Sequence, residues 1–98
     1  MGLFGPSLTE KIRRSAAVAL PEADWRINVD WSGGAKLHQL HGSVPAQHTD
    51  EESLRLARSV WTAVVKDFRL KPDDQRDGLL DVGVTSTGGT EQRTGING

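Results

Sequence analysis

TDEESLRLARSVWTAVVKDFRL, residues Thr49 to Leu70, is the longest uninterrupted helical pattern in the chain, and every other apolar segment needs something like it to pack on. Thr49 and Glu52 have the spacing of a capping box, in which the threonine oxygen and the glutamate side chain each satisfy a backbone N–H that the first turn leaves free. Leu54, Ala57, Trp61, Val64 and Phe68, with Val60 and Val65 beside them, recur at three- and four-residue steps and predict one broad apolar stripe. The Lys71-Pro72 step ends the helix, because a residue before proline avoids the helical region. Arg55, Arg58, Thr62, Lys66 and Arg69 fall on the opposite side, so one face is greasy and the other basic.

Working back from that helix, Asp24 to Trp31 reads as a strand, since Trp25, Ile27, Val29 and Trp31 alternate with Asp24, Arg26, Asn28 and Asp30. Ser32-Gly33-Gly34 predicts a three-residue hairpin loop, followed by a second strand from Ala35 to about Val44. With Trp31 opposite Ala35, Val29 meets Leu37 inside and Asp30 meets Lys36 outside. Leu37 and Leu40 cannot then share a face in a regular strand, and an extra residue at His38 or Gln39, a β-bulge, repairs the alternation. Beyond the bulge Ile27 faces Leu40, Arg26 faces His41, and Trp25 lies over Gly42.

An earlier helix starts at the Ser7-Leu8-Thr9-Glu10 box and runs to about Leu20, where Pro21 stops it. Leu79 to Ser86 reads as a third strand with Leu80, Val82 and Val84 inward. The expected fold is a two-layer α+β sandwich of order α-β-β-α-β: a three-stranded antiparallel sheet, order 2-1-3, with both helices on one face. It resembles a ferredoxin-like fold without its first strand, and it makes the second strand an edge. Residues 1–6 are expected to be a flexible N-terminus, 7–86 a single α+β domain, and 87–98 a disordered tail rich in glycine and threonine.

Twelve basic and 13 acidic residues give a net charge of −1, which excludes polyanion binding by overall field. The absence of cysteine excludes disulfide frameworks, thiolate zinc sites and cysteine nucleophiles. No apolar run reaches the roughly 18 residues of a membrane span, and the reading is of a soluble, cytoplasmic chain. His38, His41 and His48 invite a metal proposal, yet no well-spaced carboxylate joins them, so no metal and no cofactor is expected. No nucleophile elbow, P-loop or dinucleotide fingerprint occurs, and the chain is read as non-catalytic.

The open sheet face, with Arg26, Asn28, Asp30, Lys36, His38 and His41, is the first candidate surface. It suits a small interaction module that binds a protein partner or self-associates, through that face or through the edge strand. The alternative is weak nucleic-acid or anionic-ligand binding by Arg55, Arg58, Lys66 and Arg69. Glu10-Lys11-Ile12 with Ala16 and Ala17, then two strands, a long helix and a short strand, is similar in layout to the bacterial alkaline-shock protein family over residues 9 to 85. The step after the first helix departs from that family's proline-glycine-valine, reading Leu20-Pro21-Glu22-Ala23. The resemblance implies a small, non-enzymatic, membrane-associated envelope-stress protein.

Overall fold

The computed structural model describes residues 7–32, 35–68 and 79–95, with the side chains of 31, 32, 35, 36 and 79 left aside. Helix α1 spans Leu8–Ala19, β1 Asp24–Ser32, β2 Ala35–Ser43, α2 Asp50–Phe68, β3 Leu79–Thr85 and β4 Gln92–Thr94. Ser7 caps α1 by accepting from the Glu10 N–H at 3.2 Å. At α2 the reciprocal box forms, the Thr49 N–H donating to Glu52 Oε1 at 2.9 Å and the Glu52 N–H to Thr49 Oγ1 at 3.1 Å.

Among the described residues one sheet of order β1-β2-β3-β4 carries four strands, so the expected three-stranded 2-1-3 arrangement is corrected in both count and order. Strands β1 and β2 pair antiparallel, β2 and β3 parallel, and β3 and β4 antiparallel. The chain leaving β2 through α2 returns immediately beside β2, as in a β-α-β unit, instead of crossing to the far side of β1. Strand β2 is therefore central, not an edge. Strand β4 lies inside the stretch read as a disordered tail: a turn with Gly88 at φ 77° and the Gly89 N–H donating to Ser86 O at 3.0 Å folds the chain back along β3.

No bulge interrupts the hairpin. Ser32 pairs with Ala35 across the two residues Gly33 and Gly34, one residue tighter than expected, so Val29 meets His38 and Asp30 meets Leu37. A straight strand keeps Leu40, Gly42 and Val44 on the buried side, and it does so by turning His38 in and leaving Leu37 half-buried on the other face.

Both helices cover one face of the sheet. Ile12 and Ala16 of α1 and Ala57, Val60 and Val64 of α2 meet Trp25, Leu40, Leu80, Val82 and Val84, all buried. The small Ala16 and Ala57 let the helices approach the sheet closely. The α2 stripe is turned from the expected one: Ser53, Ala57, Val60 and Val64 form its buried centre, while Leu54, Trp61 and Phe68 are half-buried flanks. Ser15 of α1 donates to Asp67 Oδ2 at 2.5 Å, and Trp61 Nε1 to Leu80 O at 3.0 Å, which lock α1 to α2 and α2 to β3.

Candidate interaction surface

With the helices on one side, the other face of the sheet is lined by the residues that alternate away from the core. Strand β1 presents Arg26, Asn28 and Asp30, all exposed; β2 presents Gln39 and His41, β3 Asp81 and Gly83, and β4 Arg93. A hydrogen-bonded network runs across all four strands. Asn28 Nδ2 donates to Gln39 Oε1 at 2.6 Å, and Asn28 Oδ1 lies 2.9 Å from His41 Nε2. His41 Nδ1 stands 2.8 Å from Glu91 Oε2 and 3.1 Å from Arg93 Nη1. These last two contacts compete, because a ring nitrogen that donates to the carboxylate cannot also accept from the guanidinium.

Arg93 Nη1 reaches Glu91 Oε1 at 2.8 Å, and Arg93 Nε reaches Asp81 Oδ2 at 3.2 Å. Gly83 makes room for this cluster, because a side chain there would run into the Arg93 guanidinium and the Glu91 carboxyl group. Burial pushes the Glu91 carboxyl up, but hydrogen bonds from His41 and Arg93, and then their charges, outweigh it and hold its pKa below the ordinary carboxylate value. A hollow lined by Arg26, Asn28, His41, Ser43, Thr85 and Glu91 lies toward the end of the sheet where β2 and β3 finish.

Of the residues expected on this face, Arg26, Asn28, Asp30 and His41 are there. His38 is not: it is fully buried in the core opposite Val29 and beside Leu80, because the bulge that would have turned it outward does not form. Lys36 pairs with Trp31 and not with Asp30 in the ladder, and its side chain lies outside those described. On α2, Arg55 ion-pairs with Glu51 at 3.7 Å, Arg58 and Lys66 are exposed, and Arg69 lies outside the described residues. The three histidines are dispersed among core, open face and loop, and among the described residues no three metal-capable side chains group together. Sequence reasoning missed Glu91 and Arg93 as site residues. The Gly88-Gly89 turn before an alternating Gln92-Arg93-Thr94 was the signal that could have found them.

The boundary of the surface is β1. Among the described residues it has one sheet neighbour, β2, along all nine of its residues, with neither proline nor bulge to blunt its outer edge.

A parallel β2/β3 pair inside this α-β-β-α-β-β order identifies the architecture. The chain has the fold of the MamM CTD. A double variant of that domain superposes with a TM-score of 0.59 at 18% identity, covering 81% of this chain and 94% of the MamM CTD chain. A nickel form of one MamM CTD variant matches at TM-score 0.58 and 18% identity over 79% of this chain and 91% of its own, and a zinc form of another at 0.57 and 18% over 79% of each. No protein-family model matches the chain, and no curated protein matches it in sequence. At 18% identity the MamM CTD likeness is one of fold. No helix among the described residues is long and apolar enough to cross a membrane.

Proposed function

We propose that this chain is a non-catalytic interaction module that assembles with protein, a partner chain or a second copy, through the side of the sheet its helices leave open, the β1 edge included. The observation that carries this reading is β1 itself: nine residues of regular strand with a single neighbour among the described residues. An open edge of that length presents a row of backbone donors and acceptors along which another strand adds. The polar face beside it is held in place by Arg93, Glu91 and His41 before any partner arrives, which lowers the ordering cost of docking. The shared fold with the MamM CTD is consistent with a small binding domain. The nickel and zinc forms belong to MamM CTD variants, and metal is not part of this reading because the described residues offer no three-ligand group.

Amide exchange and NMR shifts on the full chain, followed from about 1 μM to 1 mM, the span between tight and weak association, test it. Concentration-dependent protection or shifts on β1 or on the open face, around Asp81, Gly83 and Arg93, support the reading. Amides that do not respond anywhere in the chain over that range, together with a constant monomer mass, overturn self-association, and β1 amides strongly protected from exchange in that monomer, as in a covered strand, overturn the open-edge reading itself.

A further inference from the structure

Strand β1 reads Asp24-Trp25-Arg26-Ile27-Asn28-Val29-Asp30-Trp31-Ser32, and it is chemically self-complementary about Asn28. Positions equidistant from Asn28 match in kind: Ile27 with Val29, Arg26 with Asp30, Trp25 with Trp31, Asp24 with Ser32. We infer that the occupant of the open β1 edge is a second copy of this chain, the two β1 strands pairing antiparallel about a two-fold axis through Asn28, so that the two sheets become one. This rests on the reading of the β1 side as the working surface and names its partner.

Residues directly opposite in an antiparallel pair share a face. Pairing about Asn28 sets Arg26 of each copy against Asp30 of the other, on the open face where both residues are exposed. It sets apolar position against apolar position on the face that carries the core, and a two-fold isologous contact repeats each match twice. Neighbouring registers lose this. A slip by a single residue turns one sheet upside down relative to the other. Centring on Ile27 puts Asp24 against Asp30, and centring on Val29 puts Asn28 against Asp30 and Arg26 against Ser32. Centring on Arg26 or on Asp30 sets like charges face to face. Of the registers centred between Arg26 and Asp30, only that on Asn28 gives opposite-charge pairs and no like-charge pair. Asp30 already takes part in an intrachain interaction, and a carboxylate, with about four lone-pair positions, accepts a second one.

Charge reversal tests the register. Arg26→Asp places like charges in both symmetric pairs, and so does Asp30→Arg; each is expected to weaken dimerisation about tenfold or more by sedimentation equilibrium. The double variant Arg26→Asp with Asp30→Arg restores the opposite charges and is expected to return close to the parent affinity. The chain has no cysteine, so Asn28→Cys introduces a single thiol on the axis, expected to form an intermolecular disulfide under mild oxidation. Asp24→Cys is not, because its copies would lie roughly 27 Å apart along the strands. A dimer whose affinity ignores both single reversals and whose Asn28→Cys form stays uncrosslinked overturns the Asn28 register while leaving the interaction reading intact. So do concentration-dependent changes confined to Asp81, Gly83 and Arg93. A monomer with no responsive amide overturns the second-copy inference, and β1 amides strongly protected in that monomer overturn the open-edge reading as well.

Discussion

The Trp25 indole occupies the space that a side chain at Gly42 would need. A Cβ built on Gly42 would lie 2.7 Å from two carbons of the ring, while Trp25 Nε1 donates to Leu20 O at 3.1 Å and ties the ring to the end of α1. A methyl group at Gly42 would force this buried, hydrogen-bonded ring to shift. Gly42→Ala should therefore destabilise the fold by about 1–3 kcal/mol, the cost of overpacking a filled core. Urea unfolding measures it, and an unchanged midpoint would show that the indole has room to move.

Ser53 is fully buried on α2, and its hydroxyl has no hydrogen-bond partner among the described residues. An unmet buried hydroxyl costs free energy, and alanine is the better helix former. Ser53→Ala should raise stability by about 0.5–2 kcal/mol, read as a higher thermal midpoint. A lower midpoint would mean that the hydroxyl has a partner after all.

Glu91 sits on the open face with its pKa held below the ordinary carboxylate value, and the sign of its effect follows from that direction. A depressed carboxylate stabilises the fold fully above its unfolded pKa and loses that contribution as pH falls through the folded value. Glu91→Gln should cost up to about 1 kcal/mol at pH 7, the scale of a part-exposed pair, and progressively less as the pH falls through the folded value. Gly83→Ala, which displaces Arg93 and Glu91, should remove the same pH-dependent part. Denaturant midpoints collected across that pH range decide, and a deficit independent of pH would contradict the assignment.

His38 belongs to the core, so changing it should act on stability and not on surface binding. His38→Ala is expected to cost on the order of 2–4 kcal/mol, as large-to-small core substitutions do, without altering the β1 edge. A variant as stable as the parent would place His38 outside the packed interior.

Much of this architecture was readable because local chemistry and global packing agree. The Thr49–Glu52 box, the stop before Pro21, the alternation of β1 and the pairings Ile27–Leu40, Arg26–His41 and Trp25–Gly42 all stand as the residues imply. Three features were not readable, for separate reasons. The hairpin register depended on whether one polar residue is cheaper to bury than one bulge is to build; His38 went in, and alternation alone does not weigh that choice. Sheet order depended on where β3 lands, a long-range decision that its own Leu-Asp-Val-Gly-Val pattern does not encode. Strand β4 has few apolar residues to announce it. It is held by pairing to β3 and by polar contacts, among them Ser86 Oγ donating to His48 O at 3.1 Å and the Thr87 N–H donating to Ala46 O at 3.1 Å, which tie the preceding turn to the loop before α2. With β4 went Glu91 and Arg93, two of the six side chains in the open-face network.

The central place of β2 sets the order in which the sheet can be finished on the ribosome. The β1–β2 hairpin emerges first, and β2 then waits with one flank bare until α2 has passed and Leu79–Thr85 arrive to close it. During that interval the nascent sheet has two strand-accepting sides, and only one of them persists in the finished protein. A chain cut short after α2 is thus an incomplete template that any neighbouring strand can fill, and stalled synthesis turns a well-behaved fold into a source of misassembly.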